Sequence, residues 1–318
     1  MRRYTTALLI AVFGLAVGFS TAPAVAAGQQ GKHVVVKKHK QHKLHKVAVK
    51  KRVQRVHKAS FEDYSNLKLY SSAAMVIDQS TGVVLFEKNA GAVLPIASIT
   101  KLMTAMVALD TQPDLNETLM IDDADVDMLK GTHSRLKVGT QLSREDMLRL
   151  ALMSSENRAA SALSRHYPGG RAAFIGAMNR KAQTLGLQDT HFADPTGLTA
   201  ANVSSARDLV KMVGAAQQYP LIRQFTTTLD YEVALGGRTH AFHNTNGLVR
   251  SSSWDIGLSK TGYINEAGRC LVMQAWVANK PTIIVLLDSL GKMTRLGDAN
   301  RIKHWVENSA VSQRQSAS

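Results

Sequence analysis

A serine and a lysine one helical turn apart are the first residues of this sequence that could do chemistry together. The pattern Ser-x-x-Lys occurs four times, at Ser65–Lys68, Ser98–Lys101, Ser134–Lys137 and Ser289–Lys292. Only Ser98 opens a strongly periodic helical segment, so its hydroxyl and the Lys101 amine would lie on the same side of a helix. A serine hydroxyl is a weak nucleophile until a base removes its proton. Lysine is such a base where desolvation and nearby positive charge lower its pKa, so the pair indicates acyl transfer. A helix cap followed by a surface lysine would show the same pattern.

Ser155 and Asn157 form the only Ser-x-Asn motif of the chain. The motif falls between a predicted helix that ends near Met153 and another that begins near Arg158, and therefore at a tight corner between helices. At such a corner Ser155 could relay protons and Asn157 could hold an amide group of a substrate. An ordinary cap-and-turn cluster would use the same residue types.

The tripeptide Lys260-Thr261-Gly262 ends a predicted strand and is the only Lys-Ser/Thr-Gly sequence of the chain. Glycine at a strand end lets a substrate backbone approach closely and add to the sheet edge. The lysine supplies positive charge for a terminal carboxylate, and the threonine supplies a hydroxyl partner. Because such a triplet is expected by chance only about 0.1 times in a chain of this length, it strengthens the interpretation of the other two motifs.

The elements that must position these motifs follow from the hydrophobic pattern. Short apolar runs predict two strands early in the chain and three late in it, with a closing amphipathic helix. These elements are Ala73–Asp78, Val83–Lys88, Ile256–Gly262, Gly268–Ala278, Thr282–Leu287 and the helix Thr294–Asn308. With helices between the two groups of strands, they predict an α+β fold built on one antiparallel sheet in which the two ends of the chain meet.

The middle of the sequence is predicted to be helical. Apolar residues after Ser98 repeat with the spacing of one buried helix face, which leaves Ser98 and Lys101 on another side. These apolar positions are Ile99, Leu102, Met103, Met106 and Val107. Ser143-Arg-Glu-Asp146 predicts a capped helix start, and residues 171–185 and 205–219 predict further helices.

The first 61 residues differ from the rest in composition. Residues 1–27 have the charged start, the apolar core and the small-residue cleavage site of a secretory signal peptide, with an uncleaved membrane anchor as the alternative. Residues 28–61 form a basic arm that is predicted to be disordered. Residues 1–61 contain 13 Lys and Arg and no acidic residue, so most of the formal net charge of +15 lies there. The catalytic domain is predicted over residues 62–308, and residues 309–318 are predicted to be a flexible polar tail.

The order of the three motifs resembles the signature of penicillin-binding proteins and serine β-lactamases. From about Ser72 to Trp305 the chain is similar to the low-molecular-mass D,D-peptidases, and most of all to the D-alanyl-D-alanine endopeptidase group of the penicillin-binding protein 7 type. The matching stretches are Pro95-Ile-Ala-Ser-Ile-Thr-Lys-Leu-Met-Thr-Ala-Met106, Leu150-Ala-Leu-Met-Ser-Ser-Glu-Asn-Arg-Ala-Ala160, His166-Tyr-Pro-Gly-Gly170, Asp194-Pro-Thr-Gly-Leu198, Ser205-Ala-Arg-Asp-Leu209 and Lys260-Thr-Gly-Tyr263.

This resemblance implies the β-lactamase/D,D-peptidase-like fold of penicillin-binding transpeptidases, with a helical lobe beside the sheet and the active site at their junction. It implies Ser98 as nucleophile, Lys101 as base and Ser155 as a third catalytic group. The implied substrate-binding residues are Asn157, Lys260, Thr261 and Gly262. The backbone N–H groups of Ser98 and Tyr263 would form the oxyanion hole. The family needs no metal and no organic cofactor. The implied partner is peptidoglycan in the periplasm, and β-lactam antibiotics would be covalent inhibitors.

Three alternatives to an endopeptidase stay open. A class A β-lactamase uses an added carboxylate for deacylation, and no Glu-x-x-Leu-Asn segment lies between Ser155 and Lys260. A D,D-carboxypeptidase removes a terminal D-alanine; many carry a second domain and a C-terminal anchor, for which the 56 residues after Gly262 leave no room. A non-catalytic wall-binding protein would instead use the basic arm as its functional part.

Other residue types give weaker signals. Six histidines outside the arm lack a His-Glu-x-x-His motif, and the one cysteine, Cys270, lies in a strand-like run that predicts a buried structural thiol. The five histidines of the arm could bind metal adventitiously, and no functional metal site is predicted. The acidic run Asp122–Asp127 predicts a solvated loop, with a surface for a cationic substrate branch as the alternative. The arm predicts contact with an anionic wall polymer or a membrane surface rather than nucleic acid, and a passive linker is the alternative.

Overall fold

The computed structural model describes residues 67–291 and 293–315. The predicted signal peptide, the basic arm and residues 62–66 of the predicted catalytic domain lie outside the described residues. Among the helices of the described part, none combines the length and the apolar composition needed to cross a membrane.

The described residues form strands and helices that alternate in groups along the chain. The strands are β1 (Ser71–Asp78), β2 (Val84–Lys88), β3 (Leu94–Pro95), β4 (Thr118–Met120), β5 (Gln141–Ser143), β6 (Val203–Ser204), β7 (Asp230–Leu235), β8 (Arg238–His243), β9 (Asp255–Ile264), β10 (Gly268–Val277) and β11 (Lys280–Ser289). The helices are α1 (Thr100–Asp110), α2 (Arg144–Met153), α3 (Asn157–Arg165), α4 (Gly170–Thr184), α5 (Ala206–Ala216), α6 (Pro220–Thr227) and α7 (Thr294–Gln315).

A five-stranded antiparallel sheet with the order β2-β1-β11-β10-β9 is the centre of the fold. Strand β1 pairs with β11, with Met75 opposite Val285, so early and late parts of the chain lie side by side. The predicted α+β class and the predicted sheet of two early and three late strands are therefore confirmed. Strand β9 forms one edge of this sheet and carries Lys260-Thr261-Gly262.

The two faces of the sheet are covered by different elements. Because successive side chains of a strand point to opposite faces, Val285 joins the core beneath the helices α1–α6, whereas Ile284 and Leu286 join a second core. Helix α7 covers that second core with Ala299 and Ile302. The helices between β3 and β9 thus form a lobe on one face, and the last helix closes the other.

Helix α1, which follows Ser98, is buried on all sides within the helical lobe. Every residue from Thr100 to Ala108 is buried, including Lys101. The helix therefore has the predicted apolar face and a second, more polar face, but protein covers both of them. Helices α2 and α5 begin as predicted, because the hydroxyls of Ser143 and Ser205 accept hydrogen bonds from backbone N–H groups of the first turn.

The structure differs from the sequence prediction in several places, which include helix α6 and the short strands β3 to β6. The hairpin β7–β8 was not predicted, although its Gly236-Gly237 turn is a known hairpin signal. Helix α7 continues to Gln315, so the predicted helix end at Asn308 is wrong and residues 309–315 do not form a separate tail. The prediction failed because a polar sequence argues against burial but not against a helix. The acidic run is not simply a solvated loop, since Asp125 is buried and receives hydrogen bonds from Arg165.

Candidate active site

Ser98 lies in a turn of 3₁₀ helix, Ala97–Ile99, that leads directly into α1. Ala97 has a φ of 47°, a left-handed conformation that is unfavourable for residues other than glycine. Gly197, with a φ of 82°, packs so closely on this turn that a Cβ atom there would stand 2.0 Å from the Ala97 carbonyl oxygen. A tight backbone contact from a distant segment therefore holds the turn that carries Ser98.

The Lys101 amine lies at the centre of the polar cluster. Its Nζ is 2.8 Å from Ser98 Oγ, 2.7 Å from Asn157 Oδ1 and 2.7 Å from the Thr196 carbonyl oxygen. The residue is 0% exposed. All three contacts are to uncharged groups, so this amine is buried without a directly bonded carboxylate.

Burial lowers the pKa of Lys101 from 10.5 to about 7, because the charged form loses its hydration. The carboxylates of Asp194 and Glu156 act in the opposite direction and raise this pKa. Desolvation is thus the largest cause of the shift. A pKa near 7 suits a general base at neutral pH.

Ser155 and Asn157 lie at the corner between α2 and α3, as the sequence predicted. Ser155 has a φ of 62°, and its hydroxyl oxygen accepts a hydrogen bond from Lys260 Nζ at 2.9 Å. Asn157 is the first residue of α3, and its Nδ2 donates to Thr132 Oγ1 at 3.1 Å. The corner therefore contacts both lysines of the site, Lys101 through Asn157 and Lys260 through Ser155.

Lys260, Thr261 and Gly262 lie on the edge strand β9, opposite that corner. A Cβ atom on Gly262 would stand 2.8 Å from the Ile96 carbonyl oxygen and 3.1 Å from the Ser98 backbone nitrogen. Glycine is therefore required for the close approach of β9 to the Ser98 turn. The Thr261 hydroxyl donates to the Thr245 hydroxyl at 2.7 Å. The strand continues two residues beyond the predicted end at Gly262, so the tripeptide lies inside the strand.

Burial also lowers the pKa of Lys260 well below its usual range, and the positive charges of Lys101 and Arg295 lower it further. The sequence predicted that Lys260 carries a positive charge. The lowered pKa makes this charge less favourable than on a solvent-exposed lysine. An entering carboxylate would favour protonation of Lys260, because an opposite charge stabilises the charged form.

Tyr263 follows Gly262 on β9, and its side chain is 50% exposed at the rim of the site. Its hydroxyl donates to Asn265 Oδ1 at 2.9 Å. Arg295 of α7 reaches the same region through the sheet and donates to the Gly262 carbonyl oxygen at 3.1 Å. The backbone of Gly262 and Tyr263 is therefore supported from the opposite face of the sheet.

Sequence reasoning missed several residues that shape this site. Asp194 organises the turn that presents the Thr196 carbonyl oxygen to Lys101, because its carboxylate accepts hydrogen bonds from the Thr196 and Gly197 backbone N–H groups at 3.1 and 2.6 Å. Glu156 points toward Ser134, whose hydroxyl donates to it. The segment Asp194–Leu198 is one of the stretches that resemble the D,D-peptidases, but the sequence analysis assigned it no role. No sequence signal pointed to Arg295.

The other chemical candidates are not assembled into sites in the described part of the chain. The Ser134 hydroxyl bonds to Glu156 and to the Leu136 backbone N–H, not to Lys137. Within the described ranges, no group of three or more His, Cys, Asp or Glu could hold a metal ion. Cys270 is buried as predicted, and burial raises the pKa of its thiol to about 11.

Comparisons with known proteins find matches over most of the chain. Residues 58–291 match the family model described as D-alanyl-D-alanine carboxypeptidase. The chain is 50% identical to the D-alanyl-D-alanine endopeptidase of Pseudomonas aeruginosa over 246 residues, covering 77% of this chain and 79% of the relative. It is 48% identical to that of Escherichia coli K12 over 249 residues, covering 78% and 80%. The crystal structure of the Streptomyces K15 DD-transpeptidase matches with a TM-score of 0.70 at 32% identity, covering 75% of this chain and 97% of that one.

Proposed function

The chain belongs to the D-alanyl-D-alanine carboxypeptidase family of serine peptidases, and from that membership we propose that Ser98 is its acylated nucleophile. The protein is a serine-type hydrolase of D-alanyl-D-alanine bonds. The proposal is carried by one observation: Ser98 Oγ lies 2.8 Å from the amine of a fully buried lysine. The pKa of that lysine, Lys101, is about 7, so an appreciable fraction of it is uncharged at neutral pH.

Acylation follows from these contacts. The uncharged Lys101 amine takes the proton of the Ser98 hydroxyl while the oxygen attacks the D-alanyl carbonyl carbon. The carbonyl oxygen gains negative charge, which the backbone N–H groups of Ser98 and Tyr263 would stabilise as the oxyanion hole. Asn157 would hold the amide on the acyl side of the substrate, since its side chain already lies against Lys101.

Departure of the leaving group requires a proton on the amine nitrogen. Ser155, whose hydroxyl oxygen accepts a hydrogen bond from Lys260, would relay it. The Ser155 hydroxyl would give its own proton to the amine nitrogen and take in exchange the proton that Lys101 accepted from Ser98, which leaves Lys101 uncharged for the next step. The amine then leaves, and the acyl group stays on Ser98 as an ester. Water attacks this ester, returns a proton to Ser98 through Lys101, and releases a carboxylate. Lys260 and Thr261 would bind the terminal carboxylate of the substrate, with Gly262 leaving room for its backbone.

Covalent labelling by a fluorescent penicillin tests the nucleophile. The variant Ser98→Ala should lose labelling completely and keep its thermal stability, and Ser253→Ala on the exposed loop before β9 is the matched control. A labelled peptide that lacks residue 98 in the wild type would overturn the assignment. Labelling also separates an enzyme from a non-catalytic wall-binding protein, which would form no covalent product.

The bond cut in the cell wall is, in our proposal, the D-alanyl crosslink between two stem peptides. The relatives from Pseudomonas aeruginosa and Escherichia coli are named D-alanyl-D-alanine endopeptidases. Removal of a terminal D-alanine is the second candidate, because the family model is named for carboxypeptidases and both reactions present a D-alanyl carbonyl to Ser98.

Parallel digestion of crosslinked muropeptide dimers and pentapeptide monomers decides between the two reactions. The wild type should convert dimers to monomers, with the products identified by mass spectrometry. Rapid release of D-alanine from monomers, with dimers left intact, would make the enzyme a carboxypeptidase.

We further propose that the enzyme works in the periplasm and that residues 28–61 bind an anionic wall polymer or membrane surface. Residues 28–58 contain 11 Lys and Arg and no acidic residue, and such a segment attracts anionic polymers in a salt-dependent way. Removal of residues 28–61 should leave peptidase activity in solution unchanged and abolish salt-sensitive binding to isolated walls. Equal wall binding with and without these residues at low salt would contradict the proposal.

A further inference from the structure

The three hydrogen-bond neighbours of the Lys101 amine are not equivalent. Asn157 Oδ1 and the Thr196 carbonyl oxygen, both at 2.7 Å, can only accept a hydrogen bond, whereas Ser98 Oγ at 2.8 Å carries a proton of its own. An uncharged amine has two N–H bonds and one lone pair. When both N–H bonds donate to the two acceptors, the lone pair faces the Ser98 hydroxyl. The amine is therefore aimed at the proton that it must remove only while both neighbours present an oxygen.

The orientation of the Asn157 side chain decides whether this condition holds, because an amide can present either of its ends. A reversed amide would turn its NH₂ group toward Lys101 and donate to the lone pair that the reaction needs. In the structure, Asn157 Nδ2 instead donates to Thr132 Oγ1 at 3.1 Å. Thr132 lies on the loop that leads from Asp125 to β5. A residue outside the catalytic cluster therefore holds the amide in the productive orientation.

The hydroxyl of Thr132 is itself directed by a carboxylate. Thr132 Oγ1 donates to Asp127 Oδ2 at 2.7 Å. A carboxylate can only accept, so the single hydroxyl proton points to Asp127 and the hydroxyl oxygen is left to accept from Asn157. A reversed Asn157 amide would set two acceptors, its own oxygen and the Asp127 carboxylate, against one hydroxyl proton. Asp127 therefore fixes the orientation of the Asn157 amide without touching it.

The loop keeps Asp127 in its ionised form. The carboxylate accepts hydrogen bonds from the backbone N–H groups of Leu129, Lys130 and Thr132 at 2.8, 2.9 and 2.9 Å. Burial acts to raise the pKa of Asp127, but these bonds and the bond from the Thr132 hydroxyl together outweigh it and hold the pKa below its usual range. At the pH where Lys101 accepts a proton, Asp127 is therefore an acceptor alone.

We propose that Asp127 and Thr132 are positioning residues of the reaction. Acting through the amide of Asn157, they aim the lone pair of Lys101 at the Ser98 hydroxyl. This inference rests on the proposed function, in which Ser98 is the nucleophile and Lys101 the base, and it adds two residues that touch neither. All hydrogen bonds of the chain run in one direction, because the chain ends on a group that can only accept. The last residue of the acidic run thereby gains a role in catalysis.

Removal of the Thr132 hydroxyl tests this chain. Thr132→Val keeps the shape of the side chain but takes away the acceptor of Asn157 Nδ2, so the reversed amide becomes populated. The second-order rate constant of acylation by fluorescent penicillin, measured by stopped flow across pH, should fall about tenfold at its high-pH limit, as expected for the loss of one directed hydrogen bond. Thr132→Ser keeps the hydroxyl and should retain the wild-type rate.

The direction in which the pH midpoint moves separates this role from a merely structural one. A reversed Asn157 amide removes an acceptor of the protonated Lys101 amine, so the pKa of Lys101 and the midpoint of acylation should fall. A cleft that only loosened would admit water, and hydration would raise this pKa from about 7 toward 10.5. The other titratable groups beside Lys101 are Asp194, Glu156 and Lys260, and the substitution leaves all three in place.

Asp127→Asn tests the far end of the chain. An amide donates as well as accepts, so it no longer directs the Thr132 hydroxyl, and the midpoint should again fall. Because the two residues act in one chain, Asp127→Asn combined with Thr132→Val should lower the midpoint no further than Thr132→Val alone. Asp123→Asn, in the same acidic run, and Thr140→Val, at the end of the same loop, are the matched controls and should change neither rate nor midpoint.

Three results in Thr132→Val would overturn the inference: an unchanged rate and midpoint, a midpoint that rises, or a loss that Thr132→Ser shows to the same extent. A further fall of the midpoint in the double variant would remove Asp127 from the chain. Thermal unfolding of each variant shows that the measured rates belong to folded protein. Absence of penicillin labelling at Ser98 in the wild type would instead contradict the proposed function.

Discussion

Asp298 on one face of the central sheet and two lysines on the other face are buried in opposite ways. On the face covered by α7, the Asp298 carboxylate accepts hydrogen bonds from the Ser71 backbone N–H at 2.7 Å and the Ser71 hydroxyl at 2.6 Å, and it forms an ion pair with Arg301. On the face covered by the helical lobe, Lys101 and Lys260 are buried among neutral partners.

This difference distinguishes a charge that stabilises the fold from a charge that takes part in the reaction. Asp298 ties the start of β1 to the closing helix through its hydrogen bonds to Ser71 and its ion pair with Arg301. Lys101 lacks a bonded carboxylate, so burial moves its pKa to about 7, where it can accept and return a proton. Asp298 therefore favours stability, whereas burial of Lys101 sacrifices stability for reactivity.

The largest effect should come from replacing the buried base. Lys101→Met should slow acylation by penicillin at least about 1,000-fold, since general base catalysis is removed. We expect its free energy of unfolding at pH 7 to rise by about 2 kcal/mol, because relief of desolvation outweighs the lost hydrogen bonds. Stopped-flow labelling and urea denaturation measure the two effects. Acylation near the wild-type rate would require another base.

The same variant should change how stability depends on pH. The pKa of Lys101 is lower in the folded protein than in the unfolded chain, so the unfolded chain binds more protons between the two values. The wild type should therefore gain stability as pH rises from about 7 to 10.5, and Lys101→Met should lack this part of the gain. Parallel stability curves for the two proteins would contradict this assignment of the pKa.

A substitution on the face covered by α7 should change the stability of the protein but not its acylation rate. Asp298→Asn should lower the free energy of unfolding by about 3 kcal/mol, because an amide replaces a buried, ion-paired carboxylate. Penicillin acylation by the folded variant should stay at the wild-type rate. Asp255→Asn, at the exposed start of β9, is the matched control and should be neutral. A loss of acylation greater than the loss of folded protein would show that the two faces are coupled.

The pH dependence of acylation refines the comparison. Below pH 7 the rate should fall about tenfold per unit, as Lys101 becomes protonated, and above pH 7 it should level off. Glu156→Gln should move the midpoint to lower pH, since the Glu156 carboxylate raises the pKa of Lys101. A midpoint that stays in place would mean that Glu156 does not act on the base.

The smallest effect should come from the apolar core under α7. Ile302→Val removes one methylene group from a fully buried side chain and should cost about 1 kcal/mol of stability. Its acylation rate and the pH midpoint should match the wild type. A shifted midpoint would show that packing on this face reaches Lys101 through the sheet.

Much of the fold was predictable because hydrophobic spacing reports local structure directly. The strands around Met75 and Val285 are short, continuous apolar runs, and α1 repeats with the period of a helix. The hairpin β7–β8 was missed although Gly236-Gly237 marks its turn. The end of α7 was predicted wrongly, because a polar sequence argues against burial but not against a helix.

By itself, the sequence determined the family, the main elements and which residues could do chemistry, since motif order and spacing are properties of the chain. Only the tertiary structure decided what surrounds each amine. Whether Lys101 is a surface cation or a base depends on its burial against Asn157 and the Thr196 carbonyl oxygen, which are 56 and 95 residues away along the chain. Its pKa depends on desolvation, and desolvation is set by packing between distant segments rather than by neighbours in sequence.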